Sequence, residues 1–273
     1  MNRFVSRSLL AAAIVALPAL ANAAIISQWD FNSNPADGNT STGTTAPAIG
    51  TGTLANVGGI TNSFSSGSAS GGSSDPAPAA DNSGYQTTGY PAIGGADETA
   101  GIEVKVSTFG FNSISINFDQ RHSNTSSRFI SVHYTLDGST FTRLTLDNTN
   151  STPGVTPPLG NPASTPGLYG ATGTFSSGVA TSAGDDWFNG RSVNFSSIPG
   201  ANNNPNFGFR ILTSKDGLAN FTATNPTSTY AGTGTLRFDM VTINGEVIPE
   251  PSTFVLAGVG LAGVLALGLR RRS

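Results

Sequence analysis

The chain has 273 residues, of which only 11% are charged, with a net charge of −3, 34 glycines and no cysteine. That balance offers no basic surface for a phosphate backbone, which excludes nucleic acid as a partner, and without thiols there is neither a disulfide framework nor a thiolate metal site. Gly, Ser, Thr and Asn fill long stretches, which suits a turn-rich β protein better than a helical one.

Residues 1–23 read as a secretory signal. Arg3 and Arg7 form a short basic region, Leu9 to Leu20 an apolar core, and Ala21-Asn22-Ala23 sets small residues at both positions that signal peptidase reads. The mature chain is expected to start at Ala24 and to fold as an exported domain over 24–248.

The first predicted strand lies in "AAIISQWDFN", whose bulky apolar residues are Ile25, Ile26, Trp29 and Phe31. From Asn32 to Ala96 apolar anchors are sparse, which permits short strands on long loops or partial disorder. Alternation is strongest between Gly101 and Leu146. Ile102, Val104 and Val106, then Ile114, Ile116 and Phe118, then Ile130, Val132, Tyr134 and Leu136 recur at spacing two, so one face of each strand is buried. Asp137-Gly138 predicts a hairpin turn into "STFTRLTL".

Pro153, Pro157, Pro158, Pro162 and Pro166 make the stretch from Asn148 to Gly173 a surface loop rather than a central strand. Strands resume near "DWFNGRSVNFSSI", "NFGFRILTS" and "GTLRFDMVTINGEV". Helix and strand do not alternate, so the expected fold is all-β. It is an antiparallel two-sheet β-sandwich of roughly eight to twelve strands with long Gly/Ser/Thr/Pro loops, in one domain.

Asp119, Arg121, His122 and Asn124 are the candidate ligand-binding residues. They follow a buried-type strand directly, where a sandwich can display planar polar groups to a sugar. The competing and favoured reading pairs Asp119 with Arg121, puts Asn124 and Thr125 in a turn and leaves His122 solvated. His133 lies between Val132 and Tyr134 of the buried face and should point outward. Asp185-Asp186-Trp187 reads as a local turn rather than a calcium site, for want of spaced acidic ligands.

Catalysis finds little support. The exported domain holds only Glu98, Glu103 and Glu246 as glutamates and two histidines, with Glu98 and Glu246 each placed in a Gly-rich turn. Gly-x-Ser-x-Gly and His-Glu-x-x-His are both missing. No catalytic residue, cofactor or metal ligand is expected.

Ser252 to Leu269 is free of charge and rich in Leu, Val, Ala and Gly. As a helix it would rise about 27 Å, close to a bilayer's hydrocarbon core. Arg270, Arg271 and Arg272 follow it and hold the C-terminus on the cytoplasmic side. Before it, Pro249-Glu250-Pro251 biases Ile248 and Glu250 to extended geometry, the backbone shape that proteases grip.

This order of Pro-Glu-Pro, apolar span and Arg cluster resembles the PEP-CTERM sorting signal of Gram-negative bacteria, over about the last 25 residues of 273. The resemblance implies recognition of Pro249, Glu250 and Pro251 by exosortase, a membrane cysteine protease or transpeptidase. It also implies retention by Arg270 to Arg272 until processing, and association with exopolysaccharide and biofilm. The Tyr134 to Gly138 strand-and-turn pattern looks like secreted jelly-roll domains as well, carbohydrate-binding ones among them.

Together these readings predict an exported protein, anchored in the inner membrane before processing and found at the cell surface or outside the cell afterwards. Its expected partners are signal peptidase, an exosortase-like enzyme and exopolysaccharide. A non-catalytic structural or adhesive role leads, ahead of a carbohydrate-binding module and then a hydrolase.

Overall fold

The computed structural model describes residues 23–144, 174–176, 186–215, 218–225 and 227–248, all within one unit, Ala23–Ile248. In chain order the first strands are β1 (Ala23–Trp29), β2 (Ile49–Gly50), β3 (Thr53–Val57), β4 (Thr61–Ser66) and β5 (Ser83–Thr88). Then come β6 (Gly101–Lys105), β7 (Phe111–His122), β8 (Phe129–Thr135) and β9 (Thr142–Arg143). The last are β10 (Thr174–Ser176), β11 (Asp186–Asn194), β12 (Gly208–Ser214) and β13 (Leu236–Val247), with one 3-10 turn at Pro199–Ala201.

They form two antiparallel sheets. The first, sheet A, runs β11-β7-β13-β1-β2, with β5 also paired to β13 and β4 to β5. Sheet B runs β10-β8-β12-β6-β3, with β9 paired to β8. The last strand is the hub of sheet A: β13 pairs with β7 along one side, and along the other with β5 at its start and β1 at its end.

The core between the sheets is the set that period two selects. Ile102, Val104, Ile130, Val132, Phe209 and Ile211 of sheet B meet Trp29, Ile114, Ile116, Phe118, Phe238 and Ile243 of sheet A in one buried cluster. Each such side chain contributes about 1.5–3 kcal/mol on leaving water. The low count of apolar anchors in 32–96 suffices for four short strands, because Ile60, Tyr85 and Tyr90 reach this core.

The predicted hairpin is present, with β8 turning into β9 through Asp137-Gly138. Asp137 accepts hydrogen bonds from Thr135 Oγ1 and from the Ser139 and Thr140 N–H groups, which lowers its pKa. Gly138 takes the left-handed φ of +78° that the turn requires.

Four expectations need correction. Leu136 is 37% exposed, because the strand ends at Thr135 and the turn carries the side chain out of the core face. Asp186 and Trp187 open β11 rather than forming a turn, while Asp185 lies outside the described residues. Glu246 belongs to β13, which absorbs Asn244-Gly245 through a register shift instead of turning there. Thirteen strands are present among the described residues, several only two or three residues long.

Residues 1–22 of the predicted signal segment 1–23, the Pro-rich stretch from Asn148 to Gly173 and the span 252–269 lie outside the described residues, while Ala23 opens β1. Among the described residues no helix is long and apolar enough to cross a membrane.

Candidate functional site

The four candidate ligand-binding residues do not form one open site. Ile114, Ile116, Phe118, Gln120 and His122 continue at spacing two, so Gln120 and His122 share the inner face of β7, opposite Phe238 and Leu236 of β13. Asp119 and Arg121 stand on the outer face, opposite Asp239 and Arg237. Asn124 lies past the strand in a turn with Thr125, as expected.

His122 is fully buried rather than solvated, because the buried alternation extends two pairs further than apolar residues mark it. Its Nδ1 lies 2.9 Å from the Ser127 carbonyl, an acceptor, so the hydrogen sits on Nδ1 and Nε2 is left without a partner. Burial and the Arg191 charge lower its pKa well below the usual value, so the ring is neutral at neutral pH. The amide of Gln120 beside it has no partner at either end.

The outer face of sheet A is covered where Asp119, Arg121, Arg237 and Asp239 stand. The stretch from Gly67 to Asn82 crosses it, and the polar groups of β7, β11 and β13 pin that stretch down. Asp119 accepts the N–H of Ser74 at 2.5 Å and of Gly190 at 2.7 Å. Trp187 Nε1 donates to the Ala69 carbonyl at 2.8 Å, and Asn189 to that of Gly72 at 3.0 Å. Arg121 reaches Ser70 Oγ, and Arg237 reaches the Ser66 carbonyl, Ser65 Oγ and Gln86.

Asp239 sits at the centre of this covered patch with no exposure. Its Oδ2 accepts from Ser73 Oγ at 2.6 Å, and its Oδ1 accepts from Met240 N–H, fixing a bulge where Met240 takes φ +47°. Burial raises its pKa well above the usual carboxylate value, and the Asp75 and Asp119 charges add to the rise. Gly67 closes the site from above: a Cβ there would lie 1.6 Å from Asn82 Oδ1 and 2.8 Å from Asp239 Oδ2. Asn82 Oδ1, on the other side of Gly67, has no hydrogen-bond partner.

Outside sheet B the charges are partly exposed and paired. His133 points outward as predicted, with Nε2 3.1 Å from Glu98 Oε2, while Arg143 reaches Glu98 Oε1 at 3.1 Å. Burial pushes the Glu98 pKa up, yet the His133 hydrogen bond and the Arg143 charge outweigh it and leave the net shift downward. Glu98 holds φ +54°, an uncommon conformation for a side chain of its size. Arg210 pairs with Glu103 at 2.6 Å and lies 3.6 Å above the Phe141 ring.

Nothing in the sequence patterns singled out Asp239 or Arg237, and Trp187 entered only as part of the expected Asp185-Asp186-Trp187 turn. The available signal was register: the outer-face residues of β7 and β13 are charged at adjacent pairs. Among the described residues no three His, Asp or Glu groups converge to hold a metal ion. A cleft of about 240 Å³ opens between Thr53, Lys105, Ser107 and Asn206, smaller than the ~300–1,000 Å³ of ordinary ligand pockets.

The fold thus defines an all-β, two-sheet sandwich whose last strand, β13, ends at Val247, two residues before Pro249. At that boundary residues 247–272 match the model of the PEP-CTERM protein-sorting motif. The chain is an exported protein sorted by the exosortase system, anchored in the membrane before that membrane enzyme processes it. No curated protein matches the chain.

Proposed function

We propose that the sandwich is a non-catalytic surface or matrix protein with a structural or adhesive role in exopolysaccharide or biofilm. The observation that carries this reading is the sorting motif joined to a domain whose charged outer face is taken up by its own chain. Asp119 and Arg121, two of the four sugar-binding candidates named from the sequence, hold the Gly67–Asn82 stretch in place instead of facing solvent. His133 is engaged by Glu98 and His122 is enclosed, so neither imidazole stands beside an open cleft.

The test is to incubate processed protein with the producing cell's exopolysaccharide. Co-sedimentation with the polymer and no release of reducing sugar are the expected results. Release of reducing sugar would overturn the non-catalytic reading. Saturable binding of one oligosaccharide, lost in Arg121→Ala without loss of folding, would replace the adhesive reading with a carbohydrate-binding module.

A further inference from the structure

Three of the large apolar side chains exposed among the described residues gather at one end of the sandwich. Phe109 is 69% exposed, Val247 53% and Leu136 37%. Backbone geometry ties them together: Phe111 is the cross-strand partner of Val247, and Ile248 N–H donates to the Gly110 carbonyl at 2.9 Å. Asn203 N–H donates to the Phe111 carbonyl, and Asn204 Nδ2 to the Leu136 carbonyl at 3.0 Å. β1 also begins here, Ala23 facing Glu246 and Ala24 facing Gly245. Cleavage after Ala23 leaves a new α-amino group at this same end.

The chain itself says what covers this end. Ile248 is fixed by its bond to Gly110, and the apolar span begins at Ser252. Four residues reach at most about 14 Å, and two of the three between, Pro249 and Pro251, are prolines. A bilayer's interfacial layer is itself about 5–8 Å deep on each side. A sandwich tethered so closely cannot keep the exit end of β13 far from lipid, whereas the start of that strand lies roughly 36 Å away at ~3.3 Å per residue.

Building on the membrane anchoring that the sorting motif implies, we propose that the turn around Phe109, with Val247 and Leu136 beside it, is a lipid-contact surface. Before processing it rests in the headgroup layer of the bilayer. An exposed phenylalanine gains there by leaving water while the turn's backbone stays hydrated.

The absence of cysteine makes the test clean, since Phe109→Cys and Leu218→Cys each introduce a single thiol. Leu218 is the control: it is 54% exposed and follows β12 at the other end, three residues past Lys215. Each full-length, unprocessed variant is labelled with an environment-sensitive fluorophore and reconstituted into vesicles of phosphatidylethanolamine and phosphatidylglycerol carrying a lipid-borne quencher.

Flotation with the vesicles, together with a blue shift at 109 and quenching at least twofold stronger than at 218, is the expected result. Equal quenching at both positions in floating protein overturns the lipid contact and leaves the anchor standing. A blue shift at 109 without lipid quenching overturns it in favour of a protein partner, a second copy included. Failure to float overturns the anchoring itself and the proposal with it.

Discussion

The two outer faces of the sandwich are built from the same grammar and end in opposite states. Alternation sends Asp119, Arg121, Arg237 and Asp239 out of sheet A and Glu103, His133 and Arg210 out of sheet B, where Glu98 reaches His133 from a turn. On sheet A the Gly67–Asn82 stretch closes over the charges, and Asp119 and Asp239 lose contact with water. On sheet B the charges pair across strands and keep part of their solvent, as the 29% exposure of the Arg210 side chain shows. A charge under cover must have every lone pair met, and it then decides how the domain responds to pH and mutation. A charge left half in water is screened and decides little.

The sharpest way to break the comparison is Asp119→Ala. It leaves the Ser74 and Gly190 N–H groups without their acceptor. Each hydrogen bond to a charged acceptor is worth about 1.5–3 kcal/mol when buried, but Ser74 and Gly190 are exposed residues whose N–H groups water can take up in part, so a loss of about 2–3 kcal/mol is expected in urea unfolding. Limited proteolysis should show new cutting between Gly67 and Asn82. A loss no larger than that for Arg210→Ala would mean that the cover is not held by the charge beneath it.

Asp239 sharpens the comparison through pH. Its carboxyl pKa is raised in the folded protein by burial and by the Asp75 and Asp119 charges, with Ser73, Asn82 and Met240 as its other neighbours. At high pH both folded and unfolded forms are ionised and the folded one bears the full cost of a buried charge. As pH falls through the folded pKa the folded form takes up a proton first, so this group's contribution to stability improves until the unfolded value, about 3.9, is passed. Asp239→Asn removes the charge while keeping the shape. It should therefore raise Tm most at pH 8, with each kcal/mol gained worth about 2–4 °C. The gain should shrink steadily toward pH 4. A gain independent of pH would show that Asp239 is not the titrating group.

How much of this was legible follows from which signals are local. The β8 hairpin was, because spacing two and Asp-Gly turn chemistry lie within a dozen residues of each other. The inner faces of β6 to β8 were also legible, since their apolar residues mark them directly. His122 was misplaced because Gln120 and His122 continue the buried face with polar residues, and periodicity is read from apolar ones. The fate of Asp119 and Arg121 depended on a Gly/Ser-rich segment some fifty residues upstream. Such a segment carries no periodic pattern, so nothing in it announces what it covers. The central place of β13 was equally hidden, being a matter of pairing between strands more than two hundred residues apart.

The smallest expected effect is on sheet B, and there Arg210 separates charge from shape. Its Nε and terminal nitrogen both reach Glu103 Oε2, at 2.7 and 2.6 Å, and its guanidinium plane lies 3.6 Å from the centre of the Phe141 ring. Lysine can keep the charge near Glu103 but cannot keep the two-pronged contact or the flat face against the ring. With the side chain 29% exposed and salt able to reach it, the ion pair is worth about 0.2–1 kcal/mol, and the ring contact about 0.5–1 kcal/mol. Arg210→Ala should thus lower stability by about 1 kcal/mol and Arg210→Lys by roughly half of that. High salt should shrink the alanine penalty, because it screens the ion pair and leaves the stacking largely untouched. A penalty for Arg210→Ala that matches Asp119→Ala and ignores salt would place this face under cover too, and the contrast between the two sheets would fall.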